Sequence, residues 1–183
     1  TRAFGASEET DAFYLVFGVV VFAASLLMSE TPRVLVPRIL SRMATDKEGD
    51  ARSLVGGSTV VLCSAATVAG LALYALAEPF VALLAPEYGP DQAQLAARMV
   101  RLFAATGPLA AIVGTVSGLA RAKGHFFLAQ IAFAGMNVGT VAGILVWSDN
   151  QGIIGAALGL VLGMAGSGTV MLLYLLLQKA LPR

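Results

Sequence analysis

The chain has 183 residues, 57% of them hydrophobic and 13% charged, and a formal net charge of +1. A soluble domain of this size needs roughly 25% charged residues to cover its surface, so the composition argues against a soluble fold and for a membrane protein. The near-neutral balance also argues against a nucleic-acid partner, which would require a concentrated basic face.

The sequence starts at Thr1, with no basic leader and no small-residue cleavage site behind it. We read it as carrying no signal peptide and as a piece of a longer protein. A membrane span needs roughly 20 apolar residues, rising about 1.5 Å each, to cross a hydrocarbon layer of about 30 Å. Five stretches qualify, predicted as spans over 11–38, 54–84, 95–120, 126–147 and 153–177. The expected fold is all-α, a polytopic membrane helix bundle.

The first span opens on FGASEETDAFYLVFG. Thr10 fits a helix N-cap there, and Asp11 fits the first turn, where the helix dipole favours an acid by about 0.3–1 kcal/mol. Further along, LLMSETPRVLVPRI sets Glu30 and Arg33 three apart, with Pro32 and Pro37 expected to break the helix. Two readings stand: a kink lining a cavity, since broken helix and ionisable groups at depth need protein or water around them, or a span ending at Met28 with a surface ion pair in a loop.

In the second span the single cysteine, Cys63, reads as a small buried hydrophobe, because one cysteine forms neither an internal disulfide nor a metal site. The third span carries Arg98 and Arg101 three apart on one helical face; they either snorkel to the outer interface or face an anionic substrate. His125, at the inner edge of the fourth span, reads as an interfacial loop residue. Asn137, in mid-span, calls for a hydrogen-bond partner on a neighbouring helix. Gly114 and Gly118, Gly139 and Gly143, and Gly155, Gly159 and Gly163 recur four apart, the spacing that lets helix backbones approach in lipid.

Nine of the twelve basic residues mark the inner ends of the first, third and fifth spans, leaving Arg2, Arg98 and Arg101 on the other side. Cytoplasmic loops retain positive charge, so the chain is expected to start outside and end in the cytoplasm. No zinc spacing, nucleophile elbow, phosphate-binding glycine loop or histidine pair appears. The expectation is therefore no enzyme, no metal and no cofactor.

Several motifs then fall in register: FGASEETDAF, VPRIL, EPFVALLAPEYGPD, and GLARAKGHF followed by Asn137. Together they resemble the MurJ/MviN lipid II flippases of the multidrug/oligosaccharidyl-lipid/polysaccharide exporter superfamily, from the end of that family's first helix through its sixth. The resemblance implies a two-lobed transporter with a central cavity of alternating access, in the bacterial cytoplasmic membrane. This chain would be most of the N-terminal lobe, with the C-terminal lobe and membrane lipid as partners. The implied cargo is a polyprenyl-pyrophosphate-linked sugar.

By that resemblance Asp11 matches the acidic residue of the family's Thr-Asp-Ala-Phe motif, and Arg101 falls on a position often basic. Arg121, Lys123 and His125 fall in the family's polar inner turn. Where the family carries an arginine in the next helix, this chain has Ala23 and Ala24, and Ser29 and Glu30 do not reproduce the acidic-glycine pair that follows. Lipid II and a related oligosaccharide lipid of exopolysaccharide export thus both stand as cargo. A non-transporting membrane scaffold stands as a third reading, and an enzyme acting on polyprenyl phosphates lacks the acidic cluster or catalytic histidine it would need. A diphosphate in a low-dielectric cavity must be neutralised, and arginine supplies planar paired donors for it. The transport candidates are Asp11, Glu30, Arg33, Arg38, Arg101 and Asn137, with the phosphate role falling to Arg33, Arg38 and Arg101.

Overall fold

The computed structural model describes residues 8–44 and 48–180. Arg2, Lys47 and Arg183 lie outside the described residues, as do the side chains of Arg52 and Lys179. The fold is all-helical among the described residues. In order come α1 (Glu8–Val16), a π-helical turn (Phe17–Val21), α2 (Phe22–Ala44), α3 (Glu48–Ala75), α4 (Ala77–Leu84), α5 (Pro90–Phe103), α6 (Thr106–Ala122), α7 (Phe126–Gln151) and α8 (Ile154–Ala180). Among the described residues, five rods are long and apolar enough to cross a membrane: Glu9–Ala44, Ser53–Ala75, Pro90–Ala122, Phe126–Trp147 and Ile154–Tyr174.

Proline decides where these rods break, but not everywhere it occurs. The helix expected to continue to Leu84 stops at Ala75, because Pro79 has no N–H to offer the Ala75 carbonyl and its ring would collide with it. Leu76 leaves helical geometry (φ −98°, ψ 19°), and α4 begins with Pro79 in its first turn, where the missing N–H is harmless. Pro108 acts likewise on Ala104, and α5 and α6 meet there in a junction closed by Thr106 Oγ1 donating to the Phe103 carbonyl at 2.6 Å. Pro32 and Pro37, in contrast, lie inside an unbroken α2. There the buried Pro32 packs on α6, its Cα 3.4 Å from the point where a Cβ on Gly118 would stand. The helix runs unbroken through both prolines, with Pro32 packed on the neighbouring helix, as packed membrane helices can. The SETPR segment is therefore neither a break nor a loop.

The other ends follow from turn chemistry. At the close of α6, Gly124 takes φ +81°, with Gly124 N–H on the Arg121 carbonyl (3.0 Å) and His125 N–H on that of Ala120 (2.8 Å), a Schellman cap. The His125 ring then meets Tyr174 edge to face at 5.7 Å, tying this turn to α8. Helix α5 starts on extended Gly89 and Pro90, with Asp91 in its first turn. Helix α1 starts at Glu8, so Thr10 lies within the helix and is not its cap.

Helix α6 is the central strut, packed on α2, α3, α7 and α8. One core at the α1 end gathers Phe13, Val16, Met99, Phe103 and Leu160, with Phe13 meeting Phe103 at 6.1 Å. A second gathers Met28, Val113, Leu128, Met164 and Met171 farther along. Lipid supplies little drive to bring helices together, so contact depends on close backbone approach. Gly135, Gly139 and Gly143 of α7 face Gly155, Gly159 and Gly163 of α8, and a Cβ on Gly139 would run into the Gly159 carbonyl. Gly114 does the same for α6 on α2, where a Cβ would stand 2.8 Å from the Leu27 carbonyl.

Candidate functional site

Helices α2 and α3 do not close on each other as α7 and α8 do. Between their Ala44 and Glu48 ends lies a cleft of about 720 Å³, walled on α2 by Glu30, Val34, Arg38 and Arg42 and on α3 by Ser53 and Ser58 among others. The α2 residues recur four apart, and so share one helical face. Arg38 and Arg42 are thereby stacked one turn apart, about 6 Å along the axis, close enough for both to address one diphosphate.

Glu30 on the cleft wall is paired on its own helix. Arg33 Nη1 donates to both carboxylate oxygens of Glu30, at 2.9 and 3.2 Å, and Ser29 Oγ donates to Oε1 at 3.3 Å. The pair is open to the surroundings, with Arg33 and Glu30 side chains 72% and 52% exposed. Arg38 makes no ion pair with a described residue. It is the candidate cation with donors to spare.

The other candidates are not brought to this cleft. Arg101 Nη2 donates to Glu78 Oε1 at 2.7 Å, joining α5 to α4 at the end of the bundle where α3 finishes. Asp11 is at that same end, beside the α4–α5 loop. Burial, the Asp11 carboxylate and then the Glu87 carboxylate push the Tyr88 phenol above its ordinary pKa of 10.0. Asn137 donates from Nδ2 to the Phe133 carbonyl of its own helix at 3.0 Å and, among the described residues, bonds to no neighbouring helix. A mid-span amide can thus be satisfied one turn back. Cys63 is half-buried, its thiol 3.5 Å from the Pro108 carbonyl, and clips α3 to α6. Arg42, Ser53, Ser58, Glu78 and Tyr88 were not singled out by sequence; of these, the spacing of Arg42 from Arg38 was the one available signal. Among the described residues no three His, Cys, Asp or Glu side chains gather into a metal site.

Five apolar rods, glycine-welded pairs and an arginine cleft between two helices define a multi-pass membrane protein. Residues 1–182 match the family described as lipid II flippase MurJ, and the chain belongs to that family. Neither a curated protein nor a solved structure matches the chain.

Proposed function

We propose that this chain forms the N-terminal lobe of a flippase that carries a polyprenyl-pyrophosphate-linked sugar of the lipid II kind across the cytoplasmic membrane by alternating access. The observation that carries the reading is the pairing of family membership with the α2–α3 cleft, where Arg38 and Arg42 stand on one face. In this reading the two guanidinium groups receive the diphosphate on the cytoplasmic side, and residue 1 lies toward the outside. A charge left uncompensated there would cost many kcal/mol, and paired arginine donors offset that cost. A second, C-terminal lobe supplies the opposing wall, and rocking between the lobes exposes the cleft to either side.

Binding of a polyprenyl pyrophosphate to the purified chain in lipid nanodiscs tests this. The double variant Arg38→Ala, Arg42→Ala is expected to weaken binding at least tenfold and to remove most of its salt dependence. Unchanged affinity would take the cleft out of the mechanism. Retained binding with no translocation by the full-length parent in proteoliposomes would favour a scaffold.

A further inference from the structure

The core at the α1 end and the one farther along part at the same level in two rods. On the first rod, Val21 is the last residue of one core and Ala24 the first of the other; on the third, Phe103 and Ala110 stand in the same relation. At those levels both rods lose regular α-helix, the first in the π-helical turn Phe17–Val21 and the third in the α5–α6 junction.

The π-helical turn has a definite geometric effect. Ala12, Val16, Val20, Ala24 and Met28 are all buried and recur four apart. In an uninterrupted α-helix that spacing drifts by about 40° a step and about 160° over the run, so Met28 would leave the side that Ala12 faces. One extra residue in a turn takes back about 100°, which keeps all five within one apolar stripe. The junction errs the other way: Ala105 N–H reaches back only three residues, to the Leu102 carbonyl at 3.4 Å, and so tightens its turn.

Beyond this level α1, α4 and α5 are tied to one another. Helices α1 and α4 both pack on α5, Phe13 meets Phe103 at 6.1 Å, and Arg101 reaches Glu78 at 2.7 Å. Among the described residues three chain links join this group to α2, α3 and α6, and regular helix fails at each: the π-helical turn, Leu76 and the α5–α6 junction. Beneath the group lies a second cavity, about 350 Å³, lined by Val19 and Val20 of the π-helical turn, Phe80 of α4, Phe103 of α5, and Ala104 and Thr106 of the junction. On its α3 side, a Cβ on Gly70 would stand 2.7 Å from the Ala104 carbonyl. Backbone thus bears on backbone at one point of the boundary, and unfilled apolar volume lies beside it.

We propose that α1, α4 and α5 form a hinged cap that rocks as one body on the remaining helices. It turns at the π-helical turn, Leu76 and the α5–α6 junction, with Gly70 against Ala104 as the fulcrum and the cavity as the room it moves into. A hinge needs a few residues at element ends that absorb changes in φ and ψ, and the three links supply them. It also needs a boundary where movement forfeits few packed atoms, and a void has none to forfeit. The device is internal to this chain and independent of what the lobe carries.

Spin-label pairs in the full-length parent, in nanodiscs, read the motion, with Cys63→Ala and any other native cysteine replaced. Leu83→Cys with Val141→Cys reports cap against frame, Tyr14→Cys with Leu83→Cys the cap alone, and Val60→Cys with Val141→Cys the frame alone; all four sites are exposed. Rocking of whole lobes leaves every one of these distances unchanged, because all lie in one lobe. The cap-to-frame pair is expected to give two distances, or a distribution at least twice as broad as the other pairs. Deletion of Gly18, an exposed residue with open space about it, returns the wide turn to α-helix and keeps each buried residue on its face. It is expected to fold and to narrow the cap-to-frame distribution at least twofold. Ala69→Phe, which fills the cavity from α3 without changing any register, is expected to narrow it likewise and serves if the deletion does not fold.

A cap-to-frame distribution as narrow as that of the frame, both with and without farnesyl pyrophosphate, overturns the hinge. So does an equally broad distribution within the cap, which would make its three helices loose and not one body. A broad cap-to-frame distribution that the folded variants leave broad overturns it as well, since the motion would then use neither the wide turn nor the cavity.

Discussion

Arg101 of α5 reaches Glu78 of α4 across 2.7 Å, and this contact fixes the short helix α4 against the rod that follows it. The arginine is 32% exposed and the glutamate 75%, so the pair is a surface one in the main, worth on the order of 0.2–1 kcal/mol. Arg101→Ala is therefore expected to lower thermal stability in detergent slightly and to leave polyprenyl pyrophosphate binding unchanged. The exchange Arg101→Glu with Glu78→Arg restores the stability. A loss of binding in Arg101→Ala would return this residue to the cargo site.

The α7–α8 seam carries a sharper expectation. A methyl group on Gly139 or Gly159 would press on the facing backbone, which has no rotamer with which to move aside. Gly139→Ala and Gly159→Ala should each cost about 1–3 kcal/mol, read as earlier unfolding in a detergent titration. Gly166→Ala on the same helix meets nothing within 4 Å and serves as the control. It is expected to be neutral or to gain up to about 1 kcal/mol from better helix propensity.

Tyr88 supplies a pH signature. Its folded pKa lies above the ordinary value of 10.0, so the folded state favours the neutral phenol. The stability this contributes is fully present below pH 10.0 and is lost as pH rises through the higher folded value. Asp11→Asn removes the larger of the two carboxylate contributions, and the tyrosinate absorbance attributable to Tyr88, by difference from Tyr88→Phe, should appear at lower pH. An unmoved titration would mean that Asp11 does not act on this loop.

Glu30→Gln tests the charge balance of the cleft. The amide still offers Arg33 an acceptor and the pair is exposed, so stability should fall by no more than about 0.5 kcal/mol. Affinity for a polyprenyl pyrophosphate should rise a few-fold, because a negative charge leaves the wall that also carries Arg38. Weaker binding would instead give Glu30 a direct part in holding the cargo.

The all-helical class, the membrane setting and the family were legible in the sequence, because each is a local property. Apolar run length sets a span, a glycine at the end of α6 sets its cap, and the order of short motifs marks the family. Pro79 and Pro32 show where local reading ends. Both are helix breakers by chemistry, yet Pro79 ends α3 whereas Pro32 rides inside α2 because Gly118 of α6 lies against it.

Tertiary structure alone decided which seams close. Glycines four apart announced that α7 could pack tightly on something, but not that α8 would be the partner. Nothing in the small residues of α3, Ser53, Gly57 and Ser58, distinguished a weld from a cleft. Likewise the pairing of Arg101 with Glu78, and its separation from Arg38, depend on where α4 lies after the break at Leu76. The distance between two helix backbones is set by every residue of the helices around them, and no short stretch of chain encodes it.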